Sequence, residues 1–197
     1  MLRFGAFCQM TPYCLTAVLN NGNEWPLSCL PLQLTNSLRH SLLGFVFSFS
    51  PKYTSSDGRV MTAYFCHICD VAPGLATHCP ACVLLLLLRR GLLRYPSRLI
   101  FDPKSFSPAA LTSYLRLFST KPFTTSPDLF KSHSLRIGGH TFYTMHGMSA
   151  DLRDFLARRV INRCSLRYYR ASPVNNLLAL RKFYASLRNT FPQPSAP

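Results

Sequence analysis

The chain has 197 residues, 48% of them hydrophobic, which is enough for one domain with a packed core and argues against a wholly disordered chain. It carries 22 lysine and arginine residues against seven acidic ones, a formal net charge of +15. No apolar run approaches the roughly 20 residues that a membrane-spanning helix requires. The strongest run, Cys82–Leu88, ends at Arg89, and no secretory signal fits the start, so we expect an intracellular protein without a membrane partner.

The positive charge is concentrated in the second half of the chain. Residues 1–88 contain four lysines and arginines and three acids, whereas residues 89–197 contain 18 and four. A strongly basic half beside a nearly neutral one indicates a polyanionic partner. Nucleic acid is the commonest such partner, and an anionic membrane surface is the rival explanation.

Residues 1–77 are difficult to interpret from their pattern. They are rich in Pro, Ser, Asn, Phe and Cys and show no sustained helical or alternating period. The apolar stretch 41–49 fits a buried strand or a short core helix, and periodicity does not decide between them. Residues 50–58 have the composition of a loop. We therefore expect this region to be a poorly defined extension of low order.

Residues 78–190 read as a mainly helical unit. A buried helix is predicted at 83–90, followed by a loop at 91–101 that contains Pro96. Ser107 and Pro108 then form a typical helix start. The helix that follows has one apolar stripe at helical spacing, made of Leu111, Tyr114, Leu115 and Phe118.

The helical pattern continues toward the end of the chain. A helix at 137–146 is predicted to end at Gly147, and Ser149 to cap the next one, which buries Leu152, Phe155 and Leu156. A short helix at 164–170 would be closed by Pro173, and a last helix would cover 175–187. Residues 191–197 read as a disordered tail. The predicted fold class is mainly α with a small β-sheet.

Four cysteines have a spacing that is typical of metal sites. Cys66 and Cys69 form one CxxC pair, Cys79 and Cys82 form another, and His67 and His78 stand beside them. Four thiolates at this spacing can bind one zinc ion tetrahedrally. The alternative is that these residues pack as small apolar side chains, and on that interpretation no cofactor is expected.

A second group of residues suits phosphodiester chemistry. Transesterification needs a nucleophilic hydroxyl group and cations around the non-bridging phosphate oxygens. His133 and Arg136 are three residues apart, so they share one helix face and can reach one phosphate. Tyr168 follows 32 residues later and supplies a hydroxyl. An aromatic pair of Tyr168 and Tyr169 that only packs a helix is the plainer explanation of that motif.

Three segments in this order resemble the C-terminal part of tyrosine recombinases, especially those of DIRS-type retrotransposons and Cryptons. They are HSLRIGG at 133–139, HGMSADLRDFLARR at 146–159 and SLRYYR at 165–170. The resemblance implies that His133 and Arg136 contact the scissile phosphate and that Tyr168 is the nucleophile, with Tyr169 as the alternative. It also implies DNA contacts from the surrounding arginines Arg158, Arg163, Arg167 and Arg170.

The chain departs from the family pattern at three catalytic positions. Val160 stands where the family has a histidine or tryptophan, and it has no hydrogen-bond donor, although the adjacent Arg159 is a candidate substitute. Phe47 stands where the nearest equivalent of the first catalytic arginine would be. Lys52 corresponds by position alone to the lysine that protonates the leaving oxygen.

Together these features predict part of a recombinase catalytic domain over residues 78–190, with weak or absent strand cleavage. The expected activity is DNA breakage and rejoining through a 3′-phosphotyrosyl intermediate. DNA is the expected partner, with self-association on DNA and a nuclear location. The alternatives are a zinc-stabilised nucleic-acid-binding module and a non-functional remnant of a mobile element.

Overall fold

The computed structural model describes residues 11–27, 40–49, 61–94, 107–119, 131–157, 171–188 and 190. These residues form a four-stranded antiparallel sheet with helices packed against it. The expectation of a mainly α fold with a small β-sheet is therefore confirmed. Several predicted segments lie outside the described residues. They are the loop at 50–58, the part of the predicted loop 91–101 that follows Arg94, the short helix at 164–170 and the tail at 191–197. Among the described helices, none is both long and apolar enough to cross a lipid bilayer.

The sheet is built entirely from the part of the chain before residue 67. Its strands are β1 (Leu15–Leu19), β2 (Glu24–Pro26), β3 (Leu42–Phe49) and β4 (Met61–Cys66), in the order β2-β1-β3-β4. Consecutive residues 42–47 of β3 are all buried, so both faces of this central strand are covered. That burial explains why the stretch 41–49 shows no alternation and why its periodicity did not distinguish a strand from a helix.

Within the described residues, five α-helices follow the sheet. They are α1 (Pro80–Arg94), α2 (Pro108–Ser119), α3 (Ser132–Met145), α4 (Ala150–Ala157) and α5 (Pro173–Ser186). A 3₁₀ turn, Pro73–His78, connects β4 to α1. The helix α1 begins at Pro80, three residues before the predicted range 83–90, and ends at Arg94, four residues after it.

Capping residues define several helix ends where the sequence predicts them. The backbone N–H of Ala110 donates to Ser107 Oγ at 3.1 Å, and that of Leu152 donates to Ser149 Oγ at 3.4 Å. At the end of α3, Gly147 has a φ of 75°, and the N–H of Met148 donates to the carbonyl of Tyr143. This pairing is the Schellman motif that a glycine after a helix allows.

Two helix starts differ from the prediction for local reasons. The helix α3 begins at Ser132 rather than 137, and Ser134 Oγ accepts from the backbone N–H of Lys131 at 3.0 Å. Pro173 opens α5, which therefore begins two residues before the predicted position 175. A proline fits the first turn because its missing N–H is not needed there, and Ser172 caps the helix by accepting from the N–H of Asn175 at 3.3 Å.

The core lies between the sheet and α5. Gly44 of β3 allows a close approach, because a methyl group at that position would lie 2.7 Å from Cδ2 of Leu177. Beside this contact, Asn176 is fully buried and its Nδ2 donates to the hydroxyl of Tyr64 at 3.1 Å. The helix α3 joins this core through Tyr143, whose hydroxyl lies 2.8 Å from that of Tyr184. Through these contacts, β3, β4 and α5 share one core.

Candidate functional site

The turn after β4 and the start of α1 bring four potential metal ligands together. They are His67, Cys69, Cys79 and Cys82, and their ligand atoms all lie within 4.8 Å of one another. His67 and Cys79 are buried, whereas Cys69 and Cys82 are partly exposed. Two ligands therefore come from the end of a strand and two from the beginning of a helix.

The imidazole of His67 lies at the centre of these contacts. Its Nε2 is 3.1 Å from Cys69 Sγ and 3.3 Å from Cys82 Sγ, and the two sulfur atoms are 3.8 Å apart. The other ring nitrogen, Nδ1, lies 3.2 Å from Oδ2 of the exposed Asp70. One carboxylate oxygen thus faces Nδ1, whereas the other accepts from Cys69 Sγ at 3.7 Å.

Cys79 lies in a position that favours a thiolate. Burial alone would raise the pKa of its thiol, but hydrogen bonds from the backbone N–H groups of Cys82, Ile68 and Cys69 outweigh this effect and lower the pKa. Its carbonyl also accepts the N–H of Val83, which makes Cys79 the residue that caps α1. The positive end of the helix dipole therefore lies beside its sulfur.

Cys66 is the one predicted ligand that the structure does not bring to this cluster. It is the last residue of β4, is 2% exposed, and lines a cavity of about 400 Å³ together with Tyr143 and Tyr184. Burial raises the pKa of its thiol, and the nearby Cys79 adds to this effect. Successive side chains of a strand point in opposite directions, so His67, rather than Cys66, faces the other three ligands.

Arg136 is the residue of the phosphodiester motif whose contacts the structure describes. It is half-buried on α3, and its Nη2 donates to the carbonyl oxygen of Ala157 at 3.0 Å. Ala157 is the last residue of α4 and directly precedes Arg158 and Arg159. His133 lies on α3 one turn before Arg136, but its side chain is not among those described.

The remaining predicted site residues lie outside the described part of the chain. This group holds the nucleophile candidates and the arginines around them: Arg158, Arg159, Arg163, Arg167, Tyr168, Tyr169 and Arg170. Lys52 also lies outside it. Phe47, at the position compared with the family's first arginine, is fully buried in β3 and contributes to the core.

The sequence pattern alone does not assign two residues of this site, His67 within the cluster and Asp70 beside it. In the sequence His67 is only a neighbour of the cysteines, and Asp70 has no predicted role. The alternation of side chains at a strand end could have indicated His67, since Cys66 and His67 cannot both face the same side. An acidic residue directly after a ligand pair could have indicated Asp70, because such groups often orient metal-bound imidazoles.

Comparison of the chain with protein-family patterns, with curated proteins and with solved structures found no match.

Proposed function

We propose that this protein binds DNA in the manner of a tyrosine recombinase and cleaves it weakly or not at all. The observation that carries the proposal is the hydrogen bond from Arg136 to the carbonyl of Ala157. It ties the helix with the HxxR motif to the start of the segment that contains Arg158, Arg159 and Tyr168. Two residues that are 21 positions apart in the sequence are thereby in contact, and Tyr168 follows Ala157 by 11 residues in the sequence.

Charge supports the same proposal. Of the 18 lysines and arginines in residues 89–197, Arg136 makes this contact, and Arg158 and Arg159 directly follow Ala157 in the sequence. Adjacent cationic side chains such as these two repel each other, and a bound anion relieves the repulsion. A DNA phosphate supplies that anion, and the planar guanidinium group can donate two hydrogen bonds to it.

The chemistry assigned to these residues is a transesterification. The hydroxyl oxygen of Tyr168 attacks the scissile phosphorus, a P–O bond to the tyrosine forms, and the bond to the 5′ oxygen breaks with release of a 5′ hydroxyl group. Arg136 and His133 stabilise the charge that develops on the non-bridging oxygens. Val160 offers no donor where the family has one, which is why we expect a rate that is lower by orders of magnitude.

A nicked suicide duplex tests the proposal directly. The full chain is incubated with labelled DNA, binding is measured by anisotropy, and covalent adducts are separated under denaturing conditions. We expect DNA binding with an adduct that is scarce or absent. An abundant adduct that disappears in Tyr168→Phe and persists in Tyr169→Phe would contradict the predicted impairment. Failure to bind DNA at low salt would contradict the proposal itself.

Arg136 has its own pair of variants. Arg136→Lys keeps the charge but loses the planar fork, whereas Arg136→Ala loses both. We expect DNA affinity to fall in Arg136→Ala and to be partly kept in Arg136→Lys. Arg188→Ala, which removes an exposed arginine beyond α5, is the matched control for the loss of one positive charge.

A zinc-stabilised nucleic-acid-binding module without strand cleavage is the second candidate. The cluster of His67 with three cysteines favours it. This candidate predicts salt-sensitive DNA binding and no adduct in the wild type or in either tyrosine variant. A remnant without function would show neither salt-sensitive DNA binding nor an adduct.

A further inference from the structure

We propose that His67, Cys69, Cys79 and Cys82 bind one zinc ion in a closed structural site, with Asp70 as the group that orients the imidazole. The inference does not depend on DNA cleavage, because a structural metal is compatible with both candidate functions. It differs from the set of four cysteines that spacing alone predicts, since His67 takes the position of Cys66.

Three of the six distances between the ligand atoms are close to those of a tetrahedral site, and none of the six exceeds 4.8 Å. With Zn–S bonds of about 2.3 Å and a Zn–N bond of about 2.0 Å, two sulfurs lie about 3.8 Å apart, and a sulfur and a nitrogen about 3.5 Å apart. The distance between the sulfurs of Cys69 and Cys82 is 3.8 Å. The two distances from His67 Nε2 to these sulfurs, 3.1 and 3.3 Å, are a few tenths of an ångström shorter than ideal.

The donor set selects the metal and the type of site. Three thiolates and one imidazole are typical ligands of zinc, and four protein ligands leave no open position for a substrate. The ligands also join two elements, because His67 and Cys69 follow β4 whereas Cys79 and Cys82 begin α1. A metal ion there would hold the strand end against the helix start, which is a structural role.

The surroundings of the ligands support the same assignment. Asp70 Oδ2 lies 3.2 Å from His67 Nδ1 but is not aligned as its hydrogen-bond acceptor, so the carboxylate acts through its charge, which favours the proton on that nitrogen and leaves Nε2 as the ligand. Cys79 is fully buried directly before the first residue of α1, and its backbone carbonyl accepts the N–H of Val83, so the helix start holds this ligand in place.

Metal analysis of the full chain, purified in reducing buffer without added metal, is the first test. We expect one zinc ion per chain. A ratio near zero in protein that is folded by circular dichroism would overturn the proposal. So would a disulfide between Cys69 and Cys82 that persists in reducing buffer, because it would consume two of the ligands.

Variants separate the ligand set of the structure from that of the sequence. We expect His67→Ala and Cys82→Ser to lose zinc, and Cys66→Ala and the distant Cys14→Ser to retain one equivalent. Loss of zinc in Cys66→Ala together with retention in His67→Ala would overturn the assignment of His67. If His67→Ala does not fold, His67→Cys restores a fourth ligand and is expected to fold and bind one zinc ion.

Spectroscopy and affinity complete the test. Cobalt replacing zinc should give the visible d–d bands of a tetrahedral site with mixed sulfur and nitrogen ligands, and these bands should shift in His67→Cys. Octahedral cobalt bands would overturn the proposed geometry.

Asp70→Asn keeps all four ligands but weakens the carboxylate contact, so we expect zinc affinity, measured by competition with a chromophoric chelator, to fall 10- to 100-fold. An unchanged affinity would refute the role of Asp70.

Discussion

Gly147 and Gly138 show how the same residue type contributes differently to stability. Gly147 has a φ of 75°, a conformation that costs a residue with a side chain about 1 kcal/mol or more. Gly138 lies in the interior of α3 with nothing within 4 Å of an added methyl group. We expect Gly147→Ala to lower the free energy of unfolding by about 1 kcal/mol, measured by urea denaturation.

The matched variant Gly138→Ala should have the opposite effect. Alanine loses less conformational entropy than glycine when a helix forms, so we expect a gain of about 0.5–1 kcal/mol. Equal effects of the two substitutions would show that the helix end at Gly147 does not depend on its backbone conformation.

At the scale of single residues, the sequence predicts three of the four ligands of the candidate metal site. The sequence spacing groups Cys69, Cys79 and Cys82, because each of the two CxxC pairs occupies one short turn. The choice between Cys66 and His67 depends on which side of β4 faces the core, and that depends on α3 and α5, which are far along the chain. The role of Asp70 depends in turn on the orientation of His67.

At the scale of elements, the contact between β3 and α5 depends on Gly44. A methyl group there would collide with the carbonyl oxygen of Phe65 and with Cδ2 of Leu177. Overpacking of this kind typically costs about 1–3 kcal/mol. We expect Gly44→Ala to lower the free energy of unfolding by such an amount, measured by urea denaturation.

A double variant identifies the source of that cost. Leu177→Ala alone should destabilise by about 2–5 kcal/mol because it leaves a cavity in the core. In Gly44→Ala/Leu177→Ala one of the two collisions is removed, so the loss should be smaller than the sum of the single losses. Strict additivity would mean that Leu177 does not press against the strand at Gly44.

The contact between α3 and α5 predicts sensitivity to alkaline pH. Burial raises the pKa of Tyr184, and the nearby Tyr143, whose pKa burial also raises, adds to the effect. In the unfolded chain tyrosine ionises at about pH 10, so above this pH the unfolded state releases protons that the folded state keeps. Stability should therefore fall as the pH rises above about 10, by up to about 1.4 kcal/mol per pH unit for each such tyrosine.

Tyr184→Phe tests this prediction. It should cost about 1 kcal/mol at neutral pH by removing the hydrogen bond to Tyr143, and it should make the decline above pH 10 less steep. Tyr114→Phe is the control, since Tyr114 is 59% exposed and should leave the decline unchanged. A slope that is the same in all three proteins, measured by denaturation at several pH values, would contradict the role of the buried pair.

The helices were more predictable than the strands for a physical reason. Ser107, Ser149 and Gly147 act on backbone groups within a few residues, so local sequence defines those helix boundaries. The strand β3 is covered on both faces by residues that are distant in sequence, and its apolar run therefore carries no period. The sheet depends on long-range pairing that a local pattern does not contain.

At the scale of the whole molecule, the residues that form the sheet and the residues that carry most of the positive charge lie in different parts of the sequence. The nearly neutral first 88 residues form the sheet and hold all four residues of the proposed zinc site, whereas the basic remainder forms most of the described helices. Because α5 packs on β3 and β4, the basic half is anchored to the neutral half through the core. The described basic helices and the nearly neutral sheet thus share one core.

This separation predicts a steep salt dependence of DNA binding that is independent of the metal. Each phosphate neutralised by a lysine or arginine releases counterions, so a protein with six to ten such contacts loses about 10³–10⁵ in affinity between 50 and 200 mM salt. We expect a decline of that order for a duplex of any sequence, measured by fluorescence anisotropy. Asp70→Asn, which changes the surroundings of the proposed zinc ion but no basic residue, should keep the same slope. A nearly flat response would mean that the arginines of the second half form only a solvated surface, and that DNA is not the partner that the charge distribution indicates.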